Sequence, residues 1–221
     1  MKLGILGGTF DPVHFGHLRI AEEARVAFNL DRVLFIPCHI PPHKNHKQAA
    51  APKLRLEMLN LAVKGNPFFE ISDIELNRKG KSYLIDTLAD LMDLYGPATD
   101  LFFIMGADSF FEIGTWREYQ KLFYLTNFIV VTRPDFAGEL SEQLVLSSLP
   151  VDIGKNFCYD SKSCSIKHIS GRKTYLLKTT PFAISSTDLR QKVRGGKSIR
   201  YLLPFEVEKF IKETGLYKTR I

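Results

Sequence analysis

The stretch that decides the fold is Gly7-Gly8-Thr9-Phe10-Asp11-Pro12-Val13-His14-Phe15-Gly16-His17, which follows the apolar residues 3–6 directly. Two glycines at the end of a short strand let the backbone turn without a Cβ in the way. The helical pattern that follows places His17 in or just before the first turn of a helix. Free N–H groups and the positive end of the helix dipole favour an anion there. The stretch therefore predicts a phosphate-binding turn between a strand and a helix.

This turn differs from the two commonest glycine-rich phosphate motifs. No Gly-Lys-Ser or Gly-Lys-Thr follows it, and the G-x-G-x-x-G spacing is absent. The usual ATPase and dehydrogenase interpretations of a glycine-rich first turn are therefore excluded.

Length and composition fit one α/β domain with a sizeable core. The chain has 221 residues, 45% of them apolar and only 24% charged, so disorder is not expected. No apolar run approaches the roughly 18 residues that span a bilayer, and the start of the chain lacks a signal-peptide pattern. Membrane attachment and secretion are therefore not expected. Three cysteines without zinc-type spacing, Cys38, Cys158 and Cys164, fit free thiols in the cytoplasm.

The net charge of +6 is compatible with nucleic-acid binding or with a pocket for anionic small molecules. Nucleic-acid binding favours a stripe of Lys and Arg with interleaved aromatic residues. The basic residues are instead spread along the chain. We therefore expect a small anionic ligand and no nucleic acid.

Apolar strands alternate with amphipathic helices, which predicts βαβ units and a mostly parallel sheet flanked by helices. The predicted strands cover residues 3–6, 32–37, 68–76, 101–105, 128–132 and 174–178. The predicted helices cover residues 17–29, 53–63 (with Leu56, Leu59 and Val63 on one face), 82–95, 116–124, 139–149 and 201–217, and a capped helix starts within 184–190. Periodicity is lost over 151–173, which we interpret as an insertion or flexible excursion. We expect one domain over 1–221, with 184–221 as its helical C-terminal part.

Candidate site residues follow several of the predicted strands. Ligands gather beyond the carboxyl ends of strands in open α/β sheets, and unusual polar residues stand there at 7–17, 39–44, 106–108 and Arg133. The helix start Ser185-Ser186-Thr187, with Arg190 one turn on, offers hydroxyl and N–H groups to phosphate oxygens. It has no charge partner evident in the sequence. Structural alternatives stay open: an N-cap with a surface arginine, a turn residue at Asp108 and an ion pair at Arg133.

Several motifs together resemble one enzyme family. Residues 8–17 match the HxGH signature of the nucleotidyltransferase superfamily, and Ile184-Ser185-Ser186-Thr187-Asp188-Leu189-Arg190 matches the second signature of its adenylyltransferases. Narrower marks are Pro-Pro-His-Lys at 41–44, Ser-Tyr-Leu-Ile-Asp-Thr-Leu at 82–88, Gly-Ala-Asp-Ser at 106–109 followed by Trp116, and Tyr-Leu-Leu-Pro-Phe-Glu-Val at 201–207. In this order they resemble bacterial nicotinate-nucleotide adenylyltransferases over nearly the whole chain.

The resemblance implies a Rossmann-like nucleotidyltransferase domain. It also implies a reaction in NAD biosynthesis: ATP and nicotinate mononucleotide give nicotinate adenine dinucleotide and pyrophosphate, by direct in-line attack without a covalent enzyme intermediate. Mg²⁺ would accompany ATP, with no protein metal ligand. The implied catalytic residues are His14, His17, Lys44 and Arg190. The implied ATP-binding residues are Gly7, Gly8, Thr9, Phe10, Gly106, Asp108, Arg133, Ile184, Ser185, Ser186 and Thr187. The implied nicotinate-nucleotide residues are His43, Tyr83, Leu84 and Trp116.

Two positions depart from the family pattern. Relatives often have Thr where this chain has Leu84, which leaves only a backbone contact there, and many have Asn or another small polar residue in place of His39. Phosphopantetheine adenylyltransferases, cytidylyltransferases and a non-catalytic nucleotide-binding protein are the rival interpretations. The sequence leaves open whether the chain forms a homo-oligomer and how well it accepts the amide mononucleotide.

Overall fold

The computed structural model describes residues 1–40, 49–132 and 141–218. These residues build an eight-stranded sheet in the order β3-β2-β1-β4-β5-β8-β7-β6. The strands are β1 (Lys2–Gly8), β2 (Arg32–Pro37), β3 (Phe69–Ile71), β4 (Asp100–Gly106), β5 (Asn127–Val131), β6 (Phe157–Asp160), β7 (Ser165–His168) and β8 (Lys173–Leu177). Neighbours from β3 to β8 are parallel, whereas β7 and β6 are antiparallel. The predicted fold class, a mostly parallel Rossmann-like sheet flanked by helices, is confirmed.

Helices cover both faces of this sheet. They are α1 (Phe15–Phe28), α2 (Pro52–Val63), α3 (Leu84–Tyr95), α4 (Ala107–Phe111), α5 (Tyr119–Leu125), α6 (Glu142–Ser148), α7 (Val151–Gly154), α8 (Ser186–Arg194) and α9 (Phe205–Thr214), with a 3₁₀ turn at Ile113–Thr115. Side chains alternate between the two faces of a strand. In β4, Leu101, Phe103 and Met105 therefore pack into one apolar layer, and Phe102 and Ile104 into the other. Burial on both faces explains the continuous apolar run of this strand.

Residues 151–173, where the sequence shows no apolar periodicity, contain regular structure. Helix α7 is followed by the hairpin β6–β7, which extends the sheet beyond β8. The buried side chains of β7 include those of Ser165 and His168. Because polar residues occupy inward positions, apolar periodicity could not reveal this strand.

Two other predicted elements are shorter than expected. The strand expected over 68–76 is limited to β3, and the helix expected over 201–217 is limited to α9. Within the described ranges, no helix is long and apolar enough to cross a membrane.

The strands β1 and β4 separate at their carboxyl ends. Their pairing ends at Leu6 and Ile104. Beyond that point β1 continues beside β2 as far as Gly8, and β4 continues beside β5 as far as Gly106. The strand order also reverses between β1 and β4, and such a switch point forms a crevice for ligands in α/β sheets.

Candidate functional site

The turn after β1 forms one wall of this crevice. Gly7 is exposed at the end of the strand, whereas Phe10 is buried with a left-handed φ of 50°. A Cβ atom on Gly8 would lie 3.1 Å from the Phe10 ring, so a larger residue there would have to push the ring aside slightly. Because the Phe10 ring is in the core, we expect only its backbone to face a ligand.

The two histidines of the turn are held against each other. The rings of His14 and His17 stack with centroids 3.7 Å apart, and the backbone N–H of His14 donates to Nδ1 of His17 at 3.3 Å. A neutral His17 ring that accepts at Nδ1 carries its proton on Nε2, which is then a hydrogen-bond donor. A Cβ atom on Gly16 would lie 3.0 Å from Nδ1 of His14. A larger residue at this position would press on the His14 ring.

The second predicted phosphate motif packs directly on the first. Ser185 caps α8, and its Oγ accepts from the N–H of Asp188 at 3.1 Å. Ser186 Oγ donates to the Pro12 carbonyl at 2.9 Å. The side chain of Thr187 is exposed at this helix start, and the carbonyl of Ile184 faces Gly16. The ends of the chain thus meet at the turn.

Arg190 of α8 bonds to the same turn. Its Nη1 donates to the Asp11 carbonyl at 2.7 Å, and its Nη2 donates to Thr187 Oγ1 at 3.2 Å. Nη1 also lies 3.8 Å from Asp11 Oδ2. A charge that was not evident in the sequence therefore lies beside this helix start, because Asp11 is 179 positions earlier in the chain.

Three of the residues predicted to bind the nicotinate nucleotide lie near one another, on the side of the crevice away from α8. Tyr83 precedes α3 and Leu84 is its first residue. The Arg117 guanidinium lies over the Tyr83 ring, 5.0 Å from its centroid. Trp116 packs edge-on against Phe103 at 6.1 Å, and a Cβ atom on Gly7 would lie 3.6 Å from that Phe103 ring. Tyr83, Leu84 and Trp116, the predicted nicotinate-nucleotide residues, therefore border the exposed end of β1.

Two further residues predicted to bind ATP lie at the end of β4. Gly106 ends β4, and Asp108 is exposed in the first turn of α4 at the same edge of the sheet. His43, Lys44 and Arg133 lie outside the described residues, so their predicted roles stay predictions.

Sequence reasoning missed a buried arginine behind the turn. Arg55 of α2 is only 2% exposed. Its guanidinium donates to the carbonyls of Thr9 at 2.8 Å, Cys38 at 2.8 Å and Ala50 at 3.1 Å. The buried face of α2 is Arg55, Met58 and Leu59 rather than the predicted Leu56, Leu59 and Val63. The i, i+3, i+4 spacing of Arg55 with Met58 and Leu59 was the available signal.

Asp11 is a second buried group, to which the sequence pattern of residues 8–17 assigned no role. It is 2% exposed. Its Oδ1 accepts from the hydroxyl of Tyr217 at 2.6 Å and from the N–H of Ala50 at 3.3 Å. Tyr217, after α9, therefore contacts the phosphate turn across the whole length of the chain.

A buried carboxylate also supports helix α3, which begins at the predicted nicotinate-nucleotide residue Leu84. Glu75 accepts from Thr87 Oγ1 of α3 at 2.6 Å. Nearby, Ser82 Oγ accepts from the N–H of His39 at 2.9 Å, and the His39 ring donates to the Arg78 carbonyl at 2.9 Å. The departure at His39 thus has a structural use, because its ring joins the end of β2 to the segment before α3.

Burial raises the pKa of the Glu75 carboxyl, although hydrogen bonds from Thr87 and Ser82 and the charge of Arg78 oppose the shift. A raised folded-state pKa adds stability below the unfolded-state pKa, and this stability is lost as pH rises through the folded-state value. Glu75→Gln cannot titrate. We therefore expect its free energy of unfolding to increase relative to wild type as pH rises from 4 to 8.

Chemical denaturation across this pH range checks the expectation. Glu70→Gln is the control, because Glu70 lies at the same sheet edge in an exposed ion pair with Arg32. A constant difference between wild type and Glu75→Gln would mean that Glu75 does not titrate with a raised pKa.

Comparison with known proteins identifies the family of this chain. Residues 5–192 match the family model described as cytidylyltransferase-like. A probable nicotinate-nucleotide adenylyltransferase of Citrifermentans bemidjiense is 52% identical over 98% of both chains, and one of Geotalea daltonii is 48% identical over the same shares.

A solved structure supports the fold. The nicotinic acid mononucleotide adenylyltransferase of Plasmodium falciparum, complexed with NaAD, superposes with a TM-score of 0.74 and 19% identity, covering 98% of this chain and 97% of its own. Near-complete coverage at about half identity in the bacterial relatives decides the assignment. The chain belongs to the nicotinate-nucleotide adenylyltransferase family.

Proposed function

We propose that this chain transfers the adenylyl group of ATP to nicotinate mononucleotide, giving nicotinate adenine dinucleotide and pyrophosphate for NAD biosynthesis. One observation carries the proposal: Ser186 and Arg190 bond to the turn that holds His14 and His17, at the crevice where β1 leaves β4. Relatives up to 52% identical bear the name of this activity. We also propose a cytoplasmic location, where the exposed thiols of Cys158 and Cys164 stay reduced.

The reaction needs positioning and charge more than a reactive side chain. A phosphate oxygen of the mononucleotide forms a bond to the α-phosphorus of ATP, and the bond to the leaving pyrophosphate breaks. The attacking oxygen is already anionic, so no residue has to be activated as a nucleophile. Rate acceleration then comes from in-line alignment and from donors that stabilise charge in the transition state.

His17 is placed to supply such a donor. The bond from the His14 backbone to its Nδ1 leaves the proton on Nε2, and its ring lies in the first turn of α1, with its centroid 5.1 Å from that of the Phe10 ring. We assign His17 to the α-phosphate and His14 to the ring stack that orients it. Lys44 and Arg190 are proposed for the charge of the leaving pyrophosphate.

Mg²⁺ is proposed to bind with ATP rather than on protein ligands. Over residues 1–40, 49–132 and 141–218, no group of three or more His, Cys, Asp or Glu side chains could hold a metal ion. The proposal rests on the habit of Mg²⁺, which keeps several waters and binds through the phosphate oxygens of the substrate. When bound, the ion supplies positive charge against those oxygens.

The acceptor is proposed to lie between Trp116 and the start of α3. The Trp116 ring is half-buried and packs edge-on against Phe103, and it is proposed to stack on the pyridine ring. The first backbone N–H groups of α3, starting at Leu84, have no partner within the helix and are proposed to receive the nicotinate carboxylate. Gly8, Thr9 and Phe10 are proposed to line the junction between the two substrates.

We expect His17→Ala to lower kcat by about 10²–10³-fold with a smaller change in KM for ATP, because the donor acts mainly in the transition state. Steady-state pyrophosphate release measures both constants. Assays run below the melting temperature of the variant separate chemistry from unfolding. A variant with wild-type kcat would make His17 a structural residue only.

We expect nicotinate mononucleotide to exceed nicotinamide mononucleotide in kcat/KM by at least about tenfold, or ~1.4 kcal/mol, because bonds to a charged carboxylate are stronger. Leu84→Pro should reduce this ratio relative to Leu84→Ala. Proline removes the N–H, is favoured at the first helical position, and suits the extended Tyr83 before it. Both acceptors are assayed by pyrophosphate release with ATP and Mg²⁺.

The paired variants separate the amide from the side chain, since both lack the leucine. Equal efficiencies in the wild type would overturn the choice of acceptor. If the ratio of kcat/KM between the two mononucleotides is equal in Leu84→Pro and Leu84→Ala, the Leu84 N–H does not bind the carboxylate.

We expect Arg190→Ala to weaken ATP binding strongly and nicotinate mononucleotide binding by less than about twofold, with a stability loss of ~1 kcal/mol from the bond to the Asp11 carbonyl. Thermal shifts with and without ATP–Mg²⁺ measure both effects. Arg194→Ala is the control, because Arg194 is exposed on the same helix. If Arg190→Ala gains the same shift as wild type, Arg190 is structural.

A further inference from the structure

A buried carboxylate stands beside the arginine proposed for ATP. Arg190 Nη1 lies 2.7 Å from the Asp11 carbonyl and 3.8 Å from Asp11 Oδ2. The residue Asp11 is 2% exposed. A carboxylate and a phosphate compete for the same guanidinium, because each can accept two parallel hydrogen bonds from it. The arginine stays available to ATP only if Asp11 is kept from taking it.

The hydroxyl of Tyr217 restrains that carboxylate. It donates to Asp11 Oδ1 at 2.6 Å, a shorter bond than the 3.3 Å contact from the N–H of Ala50. Both donors engage Oδ1, the oxygen that is not turned to Arg190. Burial and the neighbouring Asp11 raise the pKa of Tyr217, so the hydroxyl keeps its proton.

The rest of the Tyr217 side chain is fixed from below. Its ring packs against the apolar layer that contains Val207 and Ile211 of α9, and its hydroxyl lies 3.9 Å from the Met58 sulfur. Helix α9 ends at Thr214, and Gly215, two residues before Tyr217, has a left-handed conformation. The hydroxyl therefore has a defined position relative to the phosphate turn.

We propose that Tyr217 is a positioning residue for ATP, whose hydroxyl holds the Asp11 carboxylate back from Arg190 so that the guanidinium can bind phosphate. This inference rests on the proposed role of Arg190. Without the hydroxyl, Oδ1 loses its shortest bond, and the carboxylate can rotate to place both oxygens on the guanidinium. ATP would then have to displace Asp11.

The test compares Tyr217→Phe with Tyr201→Phe, a matched loss of one hydroxyl at a residue that is 83% exposed. Dissociation constants for ATP–Mg²⁺ and for nicotinate mononucleotide are measured separately. Tyr217→Phe should weaken ATP binding by about tenfold and nicotinate mononucleotide binding by less than about twofold. Tyr201→Phe should change neither. Equal weakening of both ligands, or of neither, would show that Tyr217 only anchors the chain end.

Asp11→Asn tests the cause, since it removes the charge that would capture Arg190. In this background the loss of the Tyr217 hydroxyl should weaken ATP binding by less than about twofold more. An undiminished tenfold loss would overturn the proposal. Should Asp11→Asn fail to fold, the split between the two ligands in Tyr217→Phe decides alone.

Arg190→Ala separates this proposal from the proposed function. Normal ATP binding in that variant would overturn both the role of Arg190 and the role of Tyr217. Weak ATP binding in Arg190→Ala together with normal binding in Tyr217→Phe would overturn the role of Tyr217 only, and adenylyl transfer would stand.

Discussion

The site depends on the buried guanidinium of Arg55. The ladder between β1 and β2 ends at Gly8 and Pro37, so sheet pairing does not serve the carbonyls that follow. Buried carbonyls without partners are costly, and the planar fork of an arginine can bond several at once. Arg55 bonds to carbonyls of Thr9, Cys38 and Ala50, which belong to the phosphate turn, the end of β2 and the segment before α2. A single side chain thus joins these three segments at the carboxyl ends of β1 and β2.

Side-chain bonds to backbone carbonyls also bring the C-terminal part of the chain into the site. Ser186 and Arg190 bond to the carbonyls of Pro12 and Asp11, and Tyr217 bonds to the Asp11 carboxylate. The turn between β1 and α1 is therefore held by α2, by α8 and by the segment after α9. Folding and ligand binding share these contacts, because Arg190 serves the turn and is proposed to serve ATP. Donors that are already in place lose little entropy when the phosphates arrive.

Local patterns made much of this structure predictable. Strand β4 follows from an unbroken apolar run, and the turn at His14 and His17 follows from glycine spacing and a helix start. The pairing of Arg190 with Asp11 could not be derived, because the two residues are 179 positions apart and nothing local links them. Arg55 was hidden for a different reason: a charged residue is rarely fully buried, so an apolar-face reading of α2 passes over it. In β7, the polar side chains of Ser165 and His168 occupy inward positions, where a strand is normally identified by apolar side chains.

The departure at Leu84 shows why a changed side chain need not remove a binding group. A hydroxyl at this position would be a side-chain donor, whereas the N–H groups at the start of α3 belong to the backbone and are present with any residue except proline. Their direction depends on where the helix begins. That start is fixed from behind by the bond from Thr87 to Glu75 and by the bond from His39 to Ser82. Preference for a carboxylate over a carboxamide would then be controlled by the buried supports of α3, while the side chain at Leu84 is free to pack against the core.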